Sequence, residues 1–333
     1  GLFKFASTPD SDLNVTLNEA KTQLTIQTDV GTTRFSNLNF TASNGIVDSS
    51  AVIVNSIAFT TIQLLLDQYP NAGFAYSYRL IRELYAGNSI KARTGGSELD
   101  VGYTLGVLDT SSLLTFTGAS DGFLPVEYDQ SLNENNLTQT TAANQLKIVD
   151  AGALITSNSL PASQGSSSTG SVSSSIAFSG MSEFWFFEVI EVANNSSAQV
   201  LYESSSSIGS AVGAFLIYIA VGELYIVNRV TGSSSMINRY SVSTGRQLIT
   251  IRMIAGVDLA LFTEVWIGSV QSSISSTSGS GTSVFSDQLL FRSARAGVSI
   301  GFEGNRQESI FYPSDQSSNR VGIQTNINDY YST

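Results

Sequence analysis

The sequence predicts a mainly β protein: an antiparallel jelly-roll sandwich with a few short helices and a small N-terminal β segment. Short apolar runs such as "SEFWFFEVIEV", "AFLIYIAV" and "QLITIRMIAG" recur through the second half, separated by turns rich in Gly, Ser and Asn, which is the pattern of many strands and few helices. Near the N-terminus apolar and polar residues alternate with period two, as in half-buried strands. Apolar residues make up 42% of the 333-residue chain and charged residues only 13%. A sizeable core is therefore available, under a surface that is polar through Ser, Thr, Asn and Gln rather than through charge.

Taken in order, residues 1–60 read as short strands. Val15 and Leu17, then Leu24 and Ile26, alternate with polar neighbours, and Phe35, Leu38 and Phe40 continue the pattern. So small a piece buries little by itself, and it is assigned as an attachment segment; residues 61–333 form the sandwich. After Pro70, the residues Phe74, Tyr78, Ile81, Leu84 and Tyr85 recur at spacings of three and four and predict a helix closed by Gly87. "NSIKARTGGSELDVGYT" predicts a hairpin about Gly95-Gly96. "DTSSLLTFTG" predicts a short helix capped by Asp109 or Thr110. The Ser/Gly-rich residues 159–175 read as a linker or surface loop. Eight apolar runs follow as strands, among them "AGVSIGFEG" and "QESIFYPS". The tail "SDQSSNRVGIQTNINDYY" predicts a closing helix with a Ser or Asp cap, turning Val321, Ile323, Ile327 and Tyr330 or Tyr331 to the core.

The composition excludes whole classes of chemistry. With 16 basic against 27 acidic residues the net charge is −11. No basic stripe exists to neutralise phosphates or to meet an anionic bilayer, so neither nucleic acid nor membrane is an expected partner. The start "GLFKFASTPD" lacks the long apolar core of a signal peptide. Without Cys or His, disulfides, thiolate or imidazole metal sites and Ser-His-Asp or Cys-His catalysis are ruled out within this chain. The carboxylate-pair chemistry of glycoside hydrolysis survives.

Candidate residues cluster in "VEYDQSLNENNLTQTTAANQLKIVDAG", Val126 to Gly152. Its carboxylates Glu127, Asp129 and Glu134, with Asp121 upstream, have three readings. They flank a glycosidic bond, they hold a calcium ion with nearby amides, or they tie the loop to backbone amides in Asx motifs. The structural reading is favoured. No EF-hand spacing is present, so no metal and no cofactor are assigned; calcium is admitted without a motif behind it. No catalytic residue is assigned either. Glu127, Asp129 and Glu308 are the weak candidates, Glu308 being strand-borne in "QESIFYPSD" and open to pairing with Arg306 or Arg320. For glycan binding the candidates are Tyr128, Asp129, Gln130, Asn135 and Asn136. Trp185, Trp266, Tyr202, Tyr218, Tyr225 and Tyr240 are further aromatics suited to sugar stacking, although core packing explains such strand positions more often.

"AYSYRLIRELYAGNSIKART", "ELDVGYTLGVLDTSSLLTFTG" and "DGFLPVEYDQSLNENNLTQTTAANQLKIVDAG" resemble the catalytic-domain region of fungal-type α-L-arabinofuranosidase B. "YDQS" followed by an Asn-rich run and "LTQ" is the most specific part, and "ESIFYPSDQSSNRVGIQTNINDYY" resembles the closing strand and helix of the same domain. The resemblance implies a concanavalin-like or laminin-G-like sandwich, of a kind that also occurs in bacteriophage tail-fibre, head-fibre and other particle proteins. Three departures stand out. Glu127 replaces an aromatic before "YDQS", "LNENN" (132–136) replaces a glycine-rich run, and there is no Cys. The family's catalytic residues are not carried over. The resulting expectation is a virion structural protein, a homo-oligomeric fibre, decoration or adhesion subunit at the virion surface. It would contact other virion proteins through its N-terminal segment and bind host-surface polysaccharide. The alternatives are a secreted carbohydrate-binding protein and a retaining arabinofuranosidase-type glycosidase.

Overall fold

The computed structural model describes residues 63–205, 211–231, 234–286, 288–293 and 300–333, together with three short strands nearer the N-terminus. The chain divides into two compact units, Gly1–Gln63 and Leu64–Thr333. In the first, strands Phe3–Phe5, Leu13–Leu17 and Leu24–Thr28 form an antiparallel sheet, with Val15 paired to both Phe3 and Ile26. The alternating run at Phe35 to Phe40 lies outside the described residues.

The second unit is an antiparallel sandwich. One sheet is centred on strand Glu183–Val192, flanked by Gly245–Ile254 in unbroken ten-residue register and by Gly304–Tyr312. Thr263–Ile267 extends it on one side and Phe74–Ser77 on the other. The second sheet runs from Ser235–Ser241 through Glu223–Arg229, Phe215–Ala220, Gln199–Ser204 and Gln288–Arg292 to Ser171–Ile176. Through Leu137–Thr138 it continues to Gly122–Glu127, Ile90–Thr94 and Ser97–Val101. The two-residue strand Ser163–Gln164 pairs with both Leu146–Asp150 and Gly304–Tyr312 and joins the two networks.

Strand 183–192 is apolar without alternation because both its faces are covered. Phe184, Phe186 and Ile190 meet Phe215, Ile217 and Leu201 of the opposite sheet. Trp185, Phe187 and Val189 point the other way, beneath Ile323, Ile327 and Tyr331 of the closing helix Arg320–Tyr331 and beside Leu65 and Leu66. Trp185 and Trp266 stack at 5.4 Å. Each such side chain contributes about 1.5–3 kcal/mol by leaving water. Among the described residues no helix is long and apolar enough to cross a membrane.

Several expectations are corrected. Residues 74–77 form a strand, not a helix. Asn71 at positive φ follows Pro70, Phe74–Ser77 pairs with residues 308–311, and Leu84, expected in an apolar helix face, is 82% exposed. Residues 159–175 are no linker: they contribute Leu160–Pro161, Ser163–Gln164 and much of Ser171–Ile176 to sheets. In "AGVSIGFEG", residues 300–303 are not strand, and 294–299 lie outside the described residues. Gly301 passes so close to backbone that a Cβ would lie 2.3 Å from the Thr169 carbonyl. The closing helix begins at Asn319, without a side-chain cap, and Val321 faces outward. Asp109 caps the helix Thr110–Thr117 through Ser112 N at 3.1 Å, and the hairpin about Gly95-Gly96 joins Ile90–Thr94 to Ser97–Val101.

Candidate functional site

The loop after Gly122–Glu127 is built around one buried carboxylate. Asp129 Oδ1 accepts from Ala75 N and Ser131 N, both at 2.8 Å, and Oδ2 from Ser131 Oγ at 2.6 Å and Asn135 N at 3.1 Å. Burial pushes its pKa up, opposed by these bonds. Asn136 Oδ1 receives Asp129 N, and Asn135 Nδ2 reaches Gly73 O. Gln130 is fully buried: its Oε1 receives Ile81 N at 2.9 Å, and its Nε2 donates to Ser77 O and Arg79 O. The side-chain amides and carboxylate thus tie the loop to residues 73–81, where backbone groups of strand Phe74–Ser77 and of the irregular chain after it need partners.

Of the other carboxylates singled out from sequence, Glu127 and Glu308 are ion-paired in the interior, whereas Glu134 is exposed and Asp121 pairs with Lys147 at the surface. Glu127 Oε1 lies 2.6 Å from Arg292 Nη1, both nearly inaccessible. Glu308 receives Arg79 through Nε at 2.8 Å and Nη2 at 2.9 Å, with Ser77 Oγ at 2.7 Å and Tyr331 Oη at 3.2 Å. Its partner is therefore Arg79, neither Arg306 nor Arg320. Arg306 instead pairs with Glu188 Oε2 at 2.8 Å, and Ser309 Oγ and Tyr202 Oη donate to the same carboxylate. Burial pushes the Glu188 pKa up, against the pull of Arg306. Sequence reading missed Glu188, although a carboxylate flanked by apolar residues inside "FWFFEVIEV" signals a buried, paired charge. Among the described residues no group of three or more acidic side chains stands together to hold a metal ion.

An accessible face lies next to the loop. A register shift between Lys91 and Arg93 turns Phe123 and Val126 to the outer side of Gly122–Glu127, and Tyr128 follows beyond the strand end. Lys91 and Asp100 pair across the same row. Tyr128 is half-exposed and donates to Asp100 Oδ1 at 2.6 Å, while its backbone N–H donates to Ser89 O. Partial burial, followed by the Asp100 bond and charge, pushes its hydroxyl pKa up. Lys91 lies 3.6 Å from Glu98. Arg93 covers the Phe123 ring at 4.8 Å, with Lys147 at 5.8 Å from the same ring and paired with Asp121 and Asp150. Lys91 and Lys147 are the lysines of residues 64–333, and both sit on this face. It therefore combines aromatic rings with oriented hydrogen-bonding groups whose charges are balanced.

Of the predicted glycan contacts, Tyr128 is on the accessible face; Asp129, Gln130, Asn135 and Asn136 serve the loop. Trp185, Trp266, Tyr202 and Tyr240 are core residues. Tyr218 and Tyr225 are half-buried and stack on each other at 4.6 Å, and Arg239 lies 4.8 Å from the Tyr225 ring.

No family model and no curated protein sequence matches the chain. Solved structures do. A GH54 α-L-arabinofuranosidase soaked with a cyclic sulfate inhibitor aligns with TM-score 0.58 at 17% identity, over 79% of this chain and 64% of that one. An arabinofuranosidase complexed with arabinofuranosyl-α-1,2-xylobiose aligns with TM-score 0.54 at 16% identity over the same shares. The chain has the β-sandwich fold of these carbohydrate-active proteins. It spans about 64% of their length, and at this identity the likeness concerns the fold.

Proposed function

We propose that the chain is a non-catalytic carbohydrate-binding sandwich that holds a neutral glycan on the face carrying Tyr128. The carrying observation is the Tyr128–Asp100 pair, a half-exposed ring held in place by a carboxylate among Lys91, Glu98, Arg93 and Phe123. A sugar presents C–H faces to such rings and hydroxyls to such charged groups. Retaining glycoside hydrolysis requires one protonated carboxyl and one nucleophilic carboxylate that reach the sugar. Glu127 and Glu308 instead lie buried against Arg292 and Arg79, and Asp129 is occupied by four donors.

Binding to an immobilised glycan panel tests this reading. The wild-type chain is expected to retain a neutral glycan, Tyr128→Ala to weaken retention at least about tenfold, a loss of roughly 1.4 kcal/mol, and neither to release sugar. Sugar release abolished by Glu127→Gln or Glu308→Gln would return the glycosidase reading. No retention on any glycan would remove this one.

A second reading is favoured by the division at residue 63: a separate small β unit ahead of the sandwich suits attachment of this chain to a virus particle as a fibre, decoration or adhesion subunit. It is compatible with glycan binding.

A further inference from the structure

Beside Tyr128 stands a second tyrosine that the proposed function leaves unused. Tyr85 lies in the irregular chain ahead of strand Ile90–Thr94 and is half-buried, while its neighbours Leu84, Ala86 and Gly87 are exposed. Its hydroxyl donates to Asn88 O at 2.7 Å. Its ring rests against Gly87, where an added Cβ would come within 2.6 Å of the hydroxyl oxygen and 2.7 Å of the ring carbon that bears it. The Tyr103 ring stands at 75° to it, the ring centres 6.4 Å apart. Tyr85 is thus held on several sides and still partly open to solvent.

The backbone brings the two tyrosines together. The Tyr85 hydroxyl is anchored on the carbonyl of Asn88, and the Tyr128 N–H on the carbonyl of Ser89, the next residue. The Tyr128 hydroxyl then reaches Asp100, which lies opposite Lys91. Tyr85 therefore stands at the end of the strand pair Ile90–Thr94 and Ser97–Val101 that carries this face. The Tyr128 hydroxyl is pushed up first by burial and Asp100, and Tyr85 is close enough to add to that push. Burial, followed by the Asp129 carboxylate, pushes the Tyr85 hydroxyl up to about 12. Both rings are uncharged at neutral pH and keep their hydroxyl protons.

A ring fixed beforehand loses little freedom when a ligand stacks on it, and here two such rings are neighbours. Anchoring the loop requires only the Tyr85 hydroxyl and does not account for ring surface left to solvent. The exposed segment 84–87 leaves the surface open beyond Tyr85, and exposed Ser97 and Glu98 leave it open at the far end of the strand pair. A chain of sugars can therefore run across the face. The net charge of −11 works against a polyanionic chain. We propose that Tyr85 forms a second sugar subsite beside Tyr128, so that the face takes an internal stretch of a neutral polysaccharide rather than a single terminal sugar. This inference rests on the reading of Tyr128 as a sugar contact.

Displacement of the full chain from immobilised xylan, arabinan and cellulose tests this, with free xylo-, arabino- and cello-oligosaccharides as competitors from monosaccharide to hexasaccharide. The concentration needed for half-displacement is expected to fall at least about tenfold from monosaccharide to trisaccharide. Tyr85→Ala should abolish that gain with length and leave the monosaccharide value unchanged. Tyr85→Phe, which keeps the ring and gives up the bond to Asn88, should behave as wild type. Should Tyr85→Ala fail to fold, Gly87→Ala decides, because its Cβ pushes the ring from its seat; it too should lose the gain with length. Half-displacement independent of length, or a gain with length that survives both substitutions, would overturn the second subsite and leave the Tyr128 reading standing. Retention unaffected by Tyr128→Ala, or none on any of the three polysaccharides, would remove that reading and this inference with it.

Discussion

Asp129 and Asp109 show two uses of a carboxylate in this chain. Asp129 organises irregular backbone from inside the fold, whereas Asp109 sits at the surface, accepting Ser112 N at 3.1 Å and Ser112 Oγ at 2.7 Å. The Ser112 hydroxyl and then its backbone N–H hold the Asp109 pKa below the ordinary value. A depressed folded-state pKa stabilises above the unfolded value, roughly 3.9, and the contribution disappears as pH falls through the folded one. Asp109→Ala is expected to cost about 1 kcal/mol at neutral pH in urea unfolding, and the gap to wild type should close in acid. A gap unchanged down to about pH 2, below the ordinary aspartate range, would show that the cap is not its source. Asp109 was legible because capping is local, a side chain reaching an amide three residues on. Glu308 was not, because Arg79 is 229 residues away and no spacing encodes it.

The closing helix presents Ile323, Ile327 and Tyr331 at intervals of four, one stripe along one face. Tyr331 also donates to Glu308, which joins the helix to the Arg79 ion pair. Val321 lies off the stripe, 59% exposed. Ile327→Ala is expected to destabilise by about 2–5 kcal/mol, and Val321→Ala by less than about 0.5 kcal/mol, both read by chemical denaturation; equal losses would contradict this orientation. The residues after Pro70 carry the opposite lesson. Phe74, Tyr78 and Ile81 fit a helical period, but Phe74 and Tyr76 also alternate as a strand, and the free edge of Gly304–Tyr312 selects the strand. A short apolar run is ambiguous until a partner edge offers its hydrogen bonds.

At the scale of the molecule, two units differ in kind: a small three-stranded sheet, and a sandwich with a large aromatic core. If the first unit attaches the second to a virus particle, purified particles from the source culture should contain this chain in a fixed, substantial ratio to the major capsid subunit by quantitative mass spectrometry. Its absence from particles, with the chain free in the medium, would leave a secreted sugar-binding protein.

By itself the sequence determined the class of fold, the hairpin about Gly95-Gly96, the capped helix at Asp109 and most strands of the sandwich, because alternation, turn residues and caps act between near neighbours. The absence of Cys and His likewise removed thiol and imidazole chemistry before any coordinates. Tertiary structure decided the rest. It placed Glu127, Glu188 and Glu308 in arginine pairs, turned Gln130 and Asp129 inward, and left Tyr128 outside on a face with both lysines of the sandwich unit. Those outcomes depend on which distant strands share an edge and which side chains lose water together, and pairing between strands more than a hundred residues apart leaves no local periodicity to read.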